Sequence, residues 1–196
     1  MVATAARDEG VQSARRSPLD EVHRLDLAVY AAIAETPTPR LDGALRRLSS
    51  AADYSRLSIA SAAGLAIAGG PAGRRAAAHG LASVAVTAAI VNLAIKPMMR
   101  RRRPDRPAAA VPAARQVEMP GSDSFPSGHS AAAFAFAAGA AGALPLAAAP
   151  LSALAALVSY SRVHTGVHYP TDAIVGALCG ISLAEATNRA LDRLGR

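Results

Sequence analysis

Long uncharged stretches alternate with short polar connectors along most of this chain. Residues 57–73 carry no charge, and His79 is the only ionisable residue in 76–95. In residues 128–161 the only residue that ionises near neutral pH is His129. A helix needs about 20 predominantly apolar residues to cross the hydrocarbon core of a bilayer. Soluble domains rarely contain three such stretches, so the pattern predicts an all-α integral membrane protein.

Prolines and polar residues divide these stretches into five predicted spans. They cover residues 57–72, 76–98, 128–145, 150–163 and 172–188. Pro145 and Pro150 split the longest uncharged stretch into a hairpin, because proline interrupts a helix. Two amphipathic helices, at residues 24–35 and 39–52, are too short to span and are predicted to lie at the membrane interface. We therefore expect a polytopic bundle of about five transmembrane helices preceded by interfacial helices.

The chain divides into three predicted parts. Residues 1–23 are rich in charged and small polar side chains and are predicted to be a disordered tail. Residues 24–56 contain the interfacial helices, and residues 57–190 form the transmembrane domain. The polar connector 99–125 is predicted to be functional, because loops longer than about 12–15 residues are uncommon in compact domains.

The charge pattern predicts an orientation in the membrane. The formal net charge is +7, and four consecutive arginines occur in the segment MMRRRRPDR, residues 98–106. No aromatic residues interleave with them, so anionic lipid headgroups are expected to bind there rather than nucleic acid. The polar ends of four spans face the same side as the N-terminal tail, which has no apolar signal-peptide core. The positive-inside rule places that side in the cytoplasm of a bacterial cell membrane.

The segment FPSGHS, residues 125–130, is typical of a tight turn that leads into a helix. Ser127 can cap that helix, and the free N–H groups of its first turn favour an anion such as phosphate. His129 would then face the anion. Taken alone, the same residues are also an ordinary helix start.

The segment YSRVHTGVHYPTD, residues 160–172, presents two histidines and an aspartate at intervals of four. A metal site would need His164, His168 and Asp172 on one continuous helix face, but Gly166 and Pro170 interrupt that helix. A histidine nucleophile with an orienting aspartate needs fewer groups. A neutral imidazole can attack phosphorus, and a carboxylate fixes its tautomer.

Taken together, three segments resemble the signature of the type 2 phosphatidic acid phosphatase family. That signature is K-x6-R-P, then P-S-G-H, then S-R-x5-H-x3-D. The first part matches Lys96 through Arg103-Pro104, and the second matches Pro126-Ser127-Gly128-His129. The third matches Ser161-Arg162 through His168 to Asp172. The resemblance covers residues 57–188. Membrane members of this family commonly have six spans, whereas the hydropathy pattern here predicts five.

The resemblance implies a metal-independent phosphatase without a cofactor, in which residues 57–190 form the phosphatase domain. His168 would be the nucleophile, Asp172 would orient it, and His129 would protonate the leaving alkoxide. The implied phosphate-binding groups are Lys96, Arg103, Ser127, Gly128 and Arg162. Arginine suits bidentate phosphate contact, and fixed cations stabilise the charge that develops on the phosphoryl oxygens. His164 lies outside the signature and is predicted to be structural.

Two other functions and several substrates remain open from the sequence. Vanadium haloperoxidases resemble the same signature, but they are mainly soluble. A non-catalytic membrane scaffold would be free to lose His168 or Asp172. The substrate candidates are a polyprenyl mono- or diphosphate, phosphatidic acid, phosphatidylglycerophosphate and decaprenylphosphoryl ribose 5-phosphate. The expected partners are the lipid phosphate substrate and membrane lipids, with no prediction for the oligomeric state.

Overall fold

The described part of the protein is a bundle of α-helices. The structure is a computed structural model that describes residues 17–194, and it has no β-strand within them. The helices are α1 (Pro18–Glu35), α2 (Pro39–Ala51), α3 (Arg56–Ala68), α4 (Gly70–Ile90), α5 (Lys96–Met99), α6 (Gly128–Ala143), α7 (Ala148–His164) and α8 (Pro170–Leu194). The all-helical prediction is confirmed for these residues.

Helix α6 lies at the centre of the bundle and packs against α4, α7 and α8. Its approach to α8 is close because small residues line the contact. A Cβ on Gly176 would lie 2.5 Å from the Ser127 carbonyl oxygen, and a Cβ on Gly180 would overlap the carbonyl of Ala131. On the α4 side, the ring of Phe136 covers Gly80. These contacts place the start of α8 directly beside the start of α6.

Within residues 17–194, two helical segments are long and apolar enough to cross a membrane. They are Gly70–Met99, with a mean hydropathy of 1.7, and Pro145–His164, with a mean hydropathy of 1.4. The first is α4 continued through the π-helical turn Val91–Ile95 into α5. Helix α3, in the predicted span 57–72, has 13 residues and is about 20 Å long, less than a hydrocarbon core of about 30 Å. Five spans therefore remain a prediction.

The N-terminal helix begins earlier than the sequence pattern predicted. Ser17 caps α1, accepting a hydrogen bond from the Leu19 N–H at 3.2 Å, and the Asp20 side chain accepts one from the Ser17 N–H. This reciprocal capping box stabilises the first turn. The prediction of disorder is therefore wrong for residues 18–23. The rest of that predicted tail, residues 1–16, lies outside the described residues.

The loop between α5 and α6 is fastened to the N-terminal helices by a buried arginine. The side chain of Arg115 donates to the carbonyl of Ile33 at 2.9 Å and to that of Thr36 at 2.6 Å. It therefore satisfies carbonyls at the C-terminal end of α1, which lack partners within the helix. Its Nε also lies 3.0 Å from Asp42 Oδ1 of α2. The same oxygen lies 3.1 Å from His164 Nε2. His164 thus belongs to a buried ionic cluster that holds α2 and the loop against α7.

Candidate active site

His168 lies in the connector between α7 and α8, with only 1% of its surface exposed. The connector turns at Gly166, whose φ of 74° lies in the left-handed region that glycine adopts without strain. Arg103 Nη1 lies 3.2 Å from His168 Nε2. A guanidinium can only donate, so Nε2 is the acceptor and the ring proton is on Nδ1. Nδ1 faces Asp172 Oδ2 at 3.5 Å, which leaves the Nε2 lone pair facing the cationic group.

Asp172 is fully buried in the first turn of α8, and every contact to its carboxylate comes from a donor. Oδ2 accepts from the Ser124 hydroxyl and, at 2.9 Å, from the Tyr169 N–H. Oδ1 accepts from Arg101 Nη1 at 2.7 Å. These bonds favour the ionised carboxylate and fix its plane behind the imidazole of His168.

Lys96 and Arg103 converge on the loop residue Ser122. Lys96 Nζ donates to the Ser122 hydroxyl at 3.2 Å, and Arg103 Nε donates to the Ser122 carbonyl at 2.8 Å. A second contact, from Arg103 Nη1 to the Val167 carbonyl at 2.8 Å, fixes the guanidinium beside His168. Burial lowers the pKa of Arg103, but an arginine side chain stays protonated in proteins. The K-x6-R spacing therefore brings two cations to one loop.

His129 and Arg162 meet at Asp53, a residue that sequence analysis did not single out. Asp53 Oδ1 lies 2.8 Å from His129 Nε2 and 3.7 Å from Arg162 Nη1. Arg162 is 1% exposed, and its Nη1 also donates to the Ser49 hydroxyl at 2.7 Å. Its buried Nε has no hydrogen-bond partner among the described residues. A buried N–H without an acceptor is costly, so this donor is suited to a phosphate oxygen.

Ser127 joins α6 to α8. Its side chain accepts from the Ser130 N–H at 3.3 Å and caps α6, as expected. Its own N–H donates to the Asp172 carbonyl at 2.9 Å, so that N–H is not free for an anion. Gly128 follows at the helix start, where a Cβ would lie 3.8 Å from Lys96 Nζ. The turn thus brings the Lys96 ammonium to the N-terminus of α6.

Two cavities meet at His129. One, of about 240 Å³, lies between the α2–α3 turn, α4 and α6 and is lined by Lys96, Gly128 and His129. The other, of about 410 Å³, lies under the loop and is lined by Asp53, His129 and Arg162. The charged groups that line them, Lys96, His129 and Arg162, come from α5, α6 and α7.

The electrostatic surroundings keep the imidazole of His168 neutral. Burial lowers the pKa of His168 to about 3; Asp172 opposes this shift, while Arg103 and Arg162 reinforce it. The side chain is therefore uncharged at neutral pH and retains the lone pair that a nucleophile needs. Within residues 17–194, no three His, Cys, Asp or Glu side chains form a group that could hold a metal ion.

Sequence reasoning missed four residues of this site: Asp26, Asp53, Arg101 and Ser124. Arg101 belongs to the arginine cluster that was interpreted as a membrane-surface and topology signal. Asp26 and Asp53 lie before the matched signature, and Ser124 immediately precedes the turn that contains it. Only the folded arrangement brings these residues to the signature residues.

Comparison with known proteins identifies the family. The sequence-family model of the PAP2 superfamily matches residues 77–196 of this chain. This chain belongs to the PAP2 superfamily. The resemblance to type 2 phosphatidic acid phosphatases is thereby confirmed.

Two matching relatives are the decaprenylphosphoryl-5-phosphoribose phosphatases of two Mycobacterium tuberculosis strains, CDC 1551 and H37Rv. Each is 41% identical over 101 residues, which is 50% of this chain. The chain spans about half the length of these relatives, 52%.

Two solved structures share the fold of this PAP2 protein. LpxE of Aquifex aeolicus matches with a TM-score of 0.66 and 24% identity, over 84% of this chain and 95% of that protein. A transmembrane PAP2-type phosphatidylglycerolphosphate phosphatase of Bacillus subtilis matches with a TM-score of 0.65 and 24% identity, over 90% and 88%. The bundle thus has the fold of membrane PAP2 phosphatases.

Proposed function

We propose that this protein is a multi-pass membrane phosphatase that hydrolyses a lipid phosphate through a phosphohistidine on His168. The observation that carries the proposal is the arrangement at the imidazole. Nε2 faces Arg103 at 3.2 Å, and Nδ1 faces the buried carboxylate of Asp172 at 3.5 Å. A neutral nucleophile, a buried carboxylate behind it and a cation in front of it are the parts that phosphoryl transfer to histidine requires.

In the first step, the Nε2 lone pair of His168 forms a bond to phosphorus. The bond from phosphorus to the leaving oxygen breaks, and His129, which takes up a proton when the anionic phosphate binds beside it, gives that proton to the oxygen. Arg103 moves from Nε2 to the phosphoryl oxygens, where Lys96 and the unpartnered Nε of Arg162 also donate. Asp172 stabilises the imidazolium that forms, as the aspartate does in a Ser-His-Asp triad.

In the second step, water attacks phosphorus and the N–P bond breaks. His129, now neutral, accepts the proton of the attacking water, and the electron pair of the N–P bond returns to His168 Nε2. Inorganic phosphate then leaves. The cations around the phosphoryl group neutralise its charge in both steps, so no residue needs a new position between them.

The proposed substrate is a lipid phosphate, and decaprenylphosphoryl ribose 5-phosphate is the first candidate to test. The named activity of the Mycobacterium tuberculosis relatives, at 41% identity over 101 residues, supports this choice. The cavity between the α2–α3 turn, α4 and α6 has Ala88, Val91 and Ala132 in its wall, and the cavity under the loop is lined by charged groups. The pair is consistent with a lipid that carries a polar head.

The test is phosphate release by the detergent-purified protein in EDTA. The panel contains decaprenylphosphoryl ribose 5-phosphate, phosphatidic acid, phosphatidylglycerophosphate, and polyprenyl mono- and diphosphate. We expect turnover without added metal, and the ranking of kcat/KM identifies the substrate class. His168→Ala should release no phosphate above background. Equal release by both proteins, or none from any lipid, would contradict the proposal.

A further inference from the structure

The guanidinium of Arg101 bridges two buried carboxylates. Nη1 lies 2.7 Å from Asp172 Oδ1, and Nη2 lies 2.7 Å from Asp26 Oδ2. The side chain of Asp172 is 0% exposed, that of Asp26 is 1% exposed and that of Arg101 is 21% exposed. The guanidinium carbon also lies 4.2 Å from the centre of the Tyr169 ring. Arg101 stands at an unspecified position of K-x6-R-P, so the family signature assigns it no role.

The bond from Arg101 controls the half of Asp172 that faces away from His168. Oδ2 is shared by the Ser124 hydroxyl and the Tyr169 N–H. Oδ1 receives its hydrogen bond from Arg101. The last torsion of an aspartate side chain is soft, and two donors on one oxygen do not fix the carboxylate plane. A charge-assisted bond on the other oxygen does fix it, and so determines how Oδ2 meets the imidazole.

Asp26 holds Arg101 in place from outside the segment that matches the family model. It lies on α1, and its Oδ1 also accepts from the Thr171 N–H at 2.9 Å. The Thr171 hydroxyl donates to Asp26 as well. A single aspartate of α1 therefore binds both the arginine and the residue preceding Asp172. Through these bonds, α1 is attached to the first turn of α8.

The charges of this group change in step with the proposed reaction. Two carboxylates and one guanidinium leave one net negative charge buried beside a neutral His168. When the ring of His168 becomes the imidazolium of a phosphohistidine, the ring and these three side chains sum to zero, while the anionic phosphoryl oxygens face the cations on the other side of the ring. A buried charge is stabilised by such pairing. Arg101 alone would neutralise Asp172 fully, and Asp26 restores the negative charge that the imidazolium needs.

We propose that Arg101 and Asp26 are positioning residues that set the catalytic orientation of Asp172. Helix α1, which carries Asp26, then contributes to catalysis. This inference rests on the proposed phosphohistidine mechanism. It implies that loss of either residue weakens stabilisation of the transition state more than binding of phosphate in the ground state.

The experiment measures kcat, KM and inhibition by vanadate and by inorganic phosphate for four variants: Arg101→Gln, Arg101→Lys, Asp26→Asn and the double variant Asp26→Asn/Arg101→Gln. The matched control is Arg102→Gln, which removes an exposed arginine next to Arg101. Vanadate can bond to the nucleophile and mimic the transition state, whereas phosphate binds without a covalent bond. Elution from a sizing column and the melting temperature show which variants are folded.

We expect Arg101→Gln to lower kcat about 10–100-fold, the usual worth of a lost hydrogen bond to a charged group, with KM nearly unchanged. The inhibition constant of vanadate should rise by about the factor by which kcat falls, while the inhibition constant of phosphate stays constant. Arg101→Lys should recover part of kcat, and the double variant should be no worse than Arg101→Gln, because coupled residues are not additive.

Three outcomes would overturn the inference. The Arg101 and Asp26 variants could match Arg102→Gln, they could lose vanadate and phosphate inhibition equally, or their effects could add in the double variant. If Arg101→Gln does not fold, Arg101→Lys and Asp26→Asn carry the same test. Absence of turnover in the wild-type protein would instead overturn the proposed function.

Discussion

Asp53 lies between two of the groups proposed to contact phosphate. Its Oδ1 is 2.8 Å from His129 and 3.7 Å from Arg162, so it stands where a substrate oxygen would be held. It belongs to the turn before α3, in which Tyr54 and Ser55 have φ values of 55° and 58°. A phosphate must displace this carboxylate, and the two negative groups repel each other.

We therefore expect Asp53→Asn to bind inorganic phosphate more tightly than the wild-type protein does. A partly exposed ion pair is worth about 0.2–1 kcal/mol, so the inhibition constant of phosphate should fall about 2–5-fold. The control is Glu118→Gln, which removes an exposed acid from the wall of the same cavity. Weaker phosphate binding by Asp53→Asn would mean that Asp53 supports the site instead of competing with its ligand.

His168 should make the fold sensitive to acid. Burial lowers its pKa to about 3 from an ordinary value of 6.5. Below pH 6.5 the unfolded chain binds a proton that the folded protein refuses until about pH 3. The contribution of His168 to the free energy of unfolding should therefore fall as the pH is lowered through this window and level off below it.

The measurement is the melting temperature in detergent between pH 7 and pH 4, for the wild-type protein and for His168→Gln. The variant should lose less stability on acidification, because the other titrating groups are common to both proteins. Parallel curves would contradict a buried, neutral His168.

The signature residues could be predicted from sequence because their spacing reflects the ends of helices. His168 and Asp172 stand four apart, and they meet because α8 begins at Pro170. Asp26 and Asp53 were unpredictable for the opposite reason. They are far from the signature along the chain, and neither the apolar pattern nor the helix caps indicate that α1 and the α2–α3 turn fold over that end of the bundle. The N–H of Ser127 is bonded to the Asp172 carbonyl, so the expected place of Ser127 in the phosphate cradle stays a prediction for its hydroxyl.

Close contact between α6 and α8 determines the distance between the turn at Ser127 and Asp172. Gly180 permits this contact, because a Cβ there would overlap the Ala131 carbonyl and lie 2.9 Å from the Ala135 nitrogen. Backbone atoms cannot yield as a flexible side chain can, so even alanine must push the helices apart.

Gly180→Ala should therefore reduce both stability and turnover. Overpacking of this kind costs about 1–3 kcal/mol, and a small shift of α8 also displaces Asp172. The matched control is Gly64→Ala on α3, where a Cβ would meet nothing within 4 Å. Alanine is the better helix former, so this control should melt at the same temperature or slightly higher. A wild-type melting temperature for Gly180→Ala would contradict the packing described for α6 and α8.

The all-helical fold class was predictable, because long uncharged stretches rarely fold as anything but membrane helices. The number of membrane spans was not predictable. Alanine-rich sequence has a weak apolar signal at its boundaries. The first predicted span has only 13 helical residues, as α3. At the other end of the chain, the described part of α8 runs to Leu194, beyond the predicted limit of 188. The start of α1 was missed because the capping box of Ser17 and Asp20 lies in a segment whose composition favours disorder.

The active-site end of the bundle is expected to face the cytoplasm, on the positive-inside rule. The test uses single-cysteine variants in a Cys179→Ser background. Glu21→Cys places an exposed thiol on α1, and Leu146→Cys places one at the turn between α6 and α7, at the opposite end of the bundle. In intact cells, an impermeant thiol reagent should label Leu146→Cys and spare Glu21→Cys. The reverse pattern would place the site outside.

The most direct measurement is to trap the phosphorylated enzyme. A radiolabelled lipid phosphate is mixed with excess protein in EDTA and quenched in alkali, in which phosphohistidine is stable. We expect the label on the peptide that contains His168, forming before free phosphate appears and absent from His168→Gln. Phosphate release by His168→Gln, or label on a different residue, would contradict His168 as the nucleophile.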